Sequence, residues 1–137
     1  DLAVWRSLRL DTVLMITIVG ALYWLLLAEG DKSGRDLVSN HFVHTITPIV
    51  TVLVWIVAGP RGLLSVRTIA PALVLPLVWA AYAILRGTVV GAYPYPFLDV
   101  TTKGLASVLT FLVMVVAIGI VLSFAFLAIE RLRSRER

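Results

Sequence analysis

The sequence predicts an all-α integral membrane protein, a bundle of four transmembrane helices with both termini in the cytoplasm. Three observations lead there. Of the 137 residues, 60% are hydrophobic and 15% are charged, whereas a soluble domain is about half apolar. Mean hydropathy is +0.98. The apolar residues gather in four stretches, each near the ~20 residues of helix that cross the hydrocarbon of a bilayer. Helices are the default in lipid, because an open strand leaves backbone groups without partners. This composition excludes a water-soluble globule, a disordered chain and a nucleic-acid-binding module. The chain has no cysteine, which excludes disulfides, thiolate metal sites and a cysteine nucleophile.

The first span covers about 10–28 and has Asp11 at its edge. Arg6 and Arg9 lie close by, so a local ion pair is expected. The second span, about 42–58, carries His44 and Pro48. The third, about 69–85, contains Pro71 and Pro76. Each proline breaks the hydrogen-bond ladder, a defect that membrane helices tolerate where neighbours cover it. The fourth, about 105–128, has no charge at all. Residues 29–36 read as a polar turn, and Gly59-Pro60-Arg61-Gly62 as a tight one. The longer connection 87–103 includes Tyr93-Pro94-Tyr95-Pro96-Phe97-Leu98-Asp99, stiff and apolar, suited to an interface. Residues 131–137 form a basic tail. There is no internal repeat and no heptad pattern.

The net charge is +4, and its distribution sets the orientation. One side of the bundle collects eight basic residues: Arg6, Arg9, Arg61, Arg67, Arg131, Arg133, Arg135 and Arg137. The other collects four: Lys32, Arg35, Arg86 and Lys103. The more basic side belongs in the cytoplasm. The tail then serves topology and attraction to anionic headgroups, and a bacterial inner membrane is the expected location. Trp5, Trp24, Trp55 and Trp79 fall mostly near span ends, where interfacial aromatics gather. The chain opens at Asp1 with no initiator Met and no signal-peptide pattern, so a fragment of a longer protein is expected.

Two constellations stand out as carriers of chemistry. The first is Asn40-His41-Phe42-Val43-His44-Thr45, entering the second span from the outer side. A spacing of three puts both imidazoles on one helix face. A histidine inside a span is costly and usually faces the bundle interior or a cavity. General acid–base catalysis, metal or haem ligation, and a proton or quinone site remain open readings. A polar residue bonded to a neighbouring carbonyl is the plain alternative. Catalytic zinc needs a third protein ligand, for which only Asp36 and Asp99 are placed, and no other helix offers a histidine to haem. No cofactor and no metal are therefore expected. The second constellation is the 93–99 loop. Asp99 could face the same outer cavity as His44 and orient its imidazole. Alternatively, Asp99, Thr101 or Thr102 caps the last helix. Threonines and serines within spans are expected to bond back to their own helix.

Two stretches together resemble a family. Asn40-His41-x-x-His44-Thr45 followed by Pro48, and Tyr95-Pro96-Phe97-Leu98-Asp99 after the next span, are similar in order and spacing to segments of the androgen-induced membrane protein family. That family includes eukaryotic hydrolases of fatty acid esters of hydroxy fatty acids, and bacterial six-span relatives to which this chain looks closer. The resemblance covers about 8–129. It implies a threonine nucleophile with a histidine as its base, and by motif position His44 matches that histidine. Asp99 would support it, with His41, Asn40, Thr45 and Tyr95 around the substrate or holding the site. The family's threonine belongs to a span preceding the one that matches 10–28, so the expectation is either that two N-terminal spans are missing here or that this is a shortened form without the family's nucleophile. The implied activity is hydrolysis of a lipid ester drawn from the bilayer. A non-catalytic subunit packed against a larger membrane complex is the competing expectation, with a haem- or quinone-binding anchor third. Small Ala117 and Gly119 would give such a subunit a close-packing surface.

Overall fold

The computed structural model describes residues 2–28 and 33–135. Several expectations fall outside the described residues: the start at Asp1, residues 29–32 of the polar turn with Lys32, and residues 136 and 137 of the tail. Among the described residues there is helix and no strand. Four helices are long and apolar enough to cross a membrane. They are α1 (Leu2–Leu27), α2 (Gly34–Ala58), α3 (Val66–Val90) and α4 (Leu105–Arg135). Each overruns the apolar stretch that announced it, at one end or both. Helical hydrogen bonding continues through polar residues wherever no Gly or Pro interrupts it. Thus α1 already includes Arg6 and Arg9, and α2 takes in Arg35 and Asp36 from the expected turn.

The ion pair expected at Asp11 is not formed. Asp11 Oδ1 and Arg6 Nε are both buried without a hydrogen-bond partner among the described residues. At 3.6 residues per turn, Arg6 and Arg9 lie roughly 140° and 160° around the helix from Asp11, whereas side chains meet at a separation of three or four.

The loops carry the stop and start signals. Gly59 and Pro60 end α2. Ser65 opens α3 with a capping box, in which Thr68 Oγ1 accepts from Ser65 N at 3.3 Å; the same hydroxyl also donates to Ser65 O at 2.6 Å. In α3 the ladder yields at Leu73, whose N–H turns back to Ala70 O at 3.2 Å. Pro76 has no N–H to offer the Ala72 carbonyl, so the helix bends here. At the end of α3, Gly91 takes a left-handed φ of 72°. The chain then folds back, with the Tyr93 ring lying over Gly87 where any Cβ would collide.

Two apolar clusters mark the two ends. At one end Leu10, Val13 and Leu14 of α1 meet Ile69 and Ala72 of α3 and Phe126 of α4. At the other, Leu98 of the loop packs with Ala83 of α3 and Val108 of α4. Between them the helices part.

Candidate functional site

The site forms where α1 and α2 both widen into π-helical turns, Tyr23–Leu27 and Phe42–Ile46. In α2 the cause is Pro48. It cannot donate to His44 O, and the backbone adjusts by reaching one residue further. Thr47 N–H binds Phe42 O, and Thr47 Oγ1 donates to the same carbonyl at 2.7 Å. Such insertions are frequent at functional sites. Gly20 lets the helices close at this level: a Cβ there would stand 3.0 Å from Pro48 Cγ and 3.3 Å from His44 O.

This register lays His44 flat against Tyr23, ring centroids 3.9 Å apart and planes 11° from parallel. One turn away Trp24 covers His41 at 5.6 Å and donates its indole N–H to Thr45 Oγ1 at 3.1 Å. His44 Nδ1 is buried and has no hydrogen-bond partner among the described residues. The His44 ring forms part of the wall of a cavity of about 250 Å³. The rest of that wall is hydrocarbon and aromatic: Ile18 and Leu22 of α1, Pro76 and Trp79 of α3, and Phe111 of α4 among others. The bend at Leu73 and Pro76 opens this space. On the far side of the imidazole, α1 and α2 enclose a shallower groove along Thr17, Gly20, Thr45 and Pro48.

The structure brings only some of the residues singled out in the sequence together. His44 and Tyr95 share the cavity wall. Tyr95 stacks on Phe97 at 5.0 Å, and Phe97 meets Phe111 at 4.7 Å, so the Pro-rich loop supplies one side of the cavity. Thr45 lines the groove with His44. His41 is exposed, and Asn40 donates to Asp36 O of its own helix at 2.9 Å. Asp99 stands apart from the cavity wall and caps the one-turn helix Val100–Lys103. Its Oδ1 accepts from Thr101 Oγ1 at 2.5 Å, Thr101 N at 2.9 Å and Thr102 N at 3.1 Å. The Thr101 hydroxyl, and then the backbone and side-chain bonds around it, hold the carboxyl below the ordinary aspartate value. Burial, with Asp99 as neighbour, raises the Tyr93 phenol. Among the described residues no three His, Asp or Glu side chains gather as a metal-holding group.

Two features escaped sequence reasoning. One is Tyr23, lost among apolar neighbours; only Pro48 hinted that α2 would change register beside it. The other lies at the opposite end. Glu130 is 3% exposed, and its Oε1 accepts from Leu63 N at 2.5 Å and Leu64 N at 2.8 Å. Arg133, one turn on, donates to Trp55 O and Gly59 O, both at 3.1 Å, and lies over the Trp55 ring. It thereby caps the last carbonyls of α2. The detectable signal was a single carboxylate at the head of an arginine run.

Compared with models of protein families, with curated proteins and with solved structures, the chain matches none.

Proposed function

We propose that this is a multi-pass membrane protein that takes a lipid into the His44 cavity, and that its chemistry is hydrolysis of a lipid ester with His44 as the acid–base group. One observation carries the reading. An imidazole whose buried Nδ1 has no partner among the described residues stands in the wall of an otherwise hydrocarbon and aromatic cavity, between helices long enough to span a bilayer. Such a wall suits an acyl chain. A buried polar group left without a partner in the protein is what a polar ligand group would satisfy. The resemblance at Asn40-His41-x-x-His44-Thr45 and Tyr95–Asp99 supplies the reaction class and would assign the nucleophile to a threonine of an earlier span. In that reaction the histidine takes the hydroxyl proton as the ester carbonyl is attacked and returns it to the leaving alkoxide. Both termini would lie in the cytoplasm of a bacterial cell, with the cavity in the outer leaflet.

The test is turnover of a long-chain nitrophenyl ester by the full-length protein, with the span that would carry the threonine, reconstituted in lipid vesicles. His44→Ala should lower kcat by roughly 10²- to 10⁴-fold, the usual contribution of a general acid–base group. Unchanged turnover overturns the assignment.

A second reading, a subunit of a larger membrane complex, is favoured by one fact. Of the most apolar stretch of α2, only 11% is buried, leaving Ile49, Leu53 and Val57 on an open face. Stable co-purification with another membrane protein, lost on Leu53→Asn but not on His44→Ala, would support it.

A further inference from the structure

We infer that Tyr23 is the positioning residue for His44, acting through its ring face in place of the hydrogen-bonded carboxylate that usually orients a catalytic imidazole. The inference rests on His44 being the acid–base group. A catalytic histidine needs its ring plane and tautomer set, and the usual device is an acceptor on the second ring nitrogen. Here Nδ1 is buried without a hydrogen-bond partner among the described residues. The one carboxylate the sequence offered, Asp99, is occupied by Thr101 and Thr102. Orientation therefore has to come from packing.

The packing is specific. The Tyr23 ring lies 3.9 Å from the imidazole and nearly parallel to it. Tyr23 is itself buried and is held on a second side by Trp24, edge-on at 5.5 Å. Three local features of the chain converge on this pair. Pro48 turns α2 out of α-helical register at His44, α1 widens at Tyr23, and Gly20 allows the two backbones to approach between them. One face of the imidazole is covered by the phenol, and His44 lines both the cavity and the groove. A free imidazole would spread its proton-accepting nitrogen over several rotamers, few of them productive.

The experiment compares Tyr23→Phe, which keeps the ring, with Tyr23→Leu, which keeps the bulk, in the full chain in lipid vesicles. Ring-current shifts of isotope-labelled His44 report the stack directly, whatever the protein catalyses. The shifted imidazole signal should persist in Tyr23→Phe and be lost in Tyr23→Leu. Tyr23→Leu should lower kcat for the nitrophenyl ester roughly 3- to 10-fold, the scale of an aromatic pair, with KM little changed, and Tyr23→Phe should restore it. In a His44→Ala background the Tyr23 effect on kcat should vanish. Two results overturn the inference: Tyr23→Leu with the His44 signal and kcat of the parent, or Tyr23→Phe as impaired as Tyr23→Leu, which would assign the role to the hydroxyl. Turnover that does not depend on His44 overturns the hydrolase reading instead, and the His44 signal then decides whether the stack exists.

Discussion

At one end of the bundle, Glu130 and Arg133 of α4 bind the exposed N–H and C=O groups of the α2–α3 turn. At the other end, His44 is half-buried against Tyr23, and its buried Nδ1 has no hydrogen-bond partner among the described residues. Both ends bury polar side chains among apolar helices. At the first, Glu130 and Arg133 bind backbone groups that would otherwise be orphaned, so removing either leaves donors or acceptors stranded. At the second, the polar atom stabilises nothing it touches, and the nearby helices are bent or widened around a cavity. The difference teaches where stability and function are separable. A fully satisfied polar network holds the fold, while an unsatisfied one is held by it, an arrangement expected where a site has been kept at some cost in stability.

The largest expected effect is at the satisfied end. Glu130→Leu keeps the apolar contacts of α4 but strands the N–H groups of Leu63 and Leu64, each bonded to a carboxylate in the parent. Hydrogen bonds to charged groups contribute ~1.5–3 kcal/mol each, and breaking a buried charged contact costs ~3–5 kcal/mol. A loss of about 3–5 kcal/mol should appear in denaturant unfolding in detergent, with faster exchange of the Leu63 and Leu64 amides. A change within about 0.5 kcal/mol would show that the clamp contributes little.

Gly20→Val should come next. Its branched side chain would press on Pro48 and on the His44 carbonyl where a single Cβ is already tight. Overpacking of this kind costs about 1–3 kcal/mol. The α1–α2 crossing should open, and the ring-current shift of His44 should fall with it. Retention of that shift at parental stability would separate the crossing from the stack.

His44→Phe should cost little in stability and most in function. It preserves a ring against Tyr23 and removes a buried nitrogen that has no partner. Replacing an unsatisfied polar group with an apolar one of similar shape is nearly neutral or stabilising, within about 1 kcal/mol. Ester turnover should be lost. A destabilisation like that of Glu130→Leu would mean that His44 is bonded in the membrane and that the two ends are alike.

The contrast also shows what the sequence made legible. The four helices could be read because burying apolar length needs no partner of particular identity; 42–58 and 105–128 announce themselves by composition alone. His44 was legible because a lone imidazole in an apolar run is costly. Glu130 and Tyr23 were not, because their roles depend on which distant residues they meet, Leu63 and Leu64 in one case and His44 in the other. Asp11 failed for a related reason. Proximity in sequence suggested a pair with Arg6 and Arg9, and helix geometry turned those side chains to other faces.

Asp99 belongs to the smallest effect and sharpens the comparison most. It lies beyond the helices, beside the cavity loop, and could serve either the cap or His44. Its bonds to Thr101 and Thr102 favour the charged form and hold its pKa below the ordinary value. A carboxyl lowered in the folded state contributes stability that is fully present above the unfolded value, about pH 4, and lost as pH falls through the folded value. Asp99→Asn should therefore be slightly less stable than the parent at neutral pH, with the difference shrinking below about pH 4. Exposure to solvent keeps the effect small. Turnover should be unaffected, since the cap and the cavity are separate structures. An acid profile identical in parent and variant would deny the cap. Turnover that falls in Asp99→Asn while the Thr101 and Thr102 amides stay protected would instead move Asp99 from the loop to the imidazole, and would give His44 an acidic partner besides Tyr23.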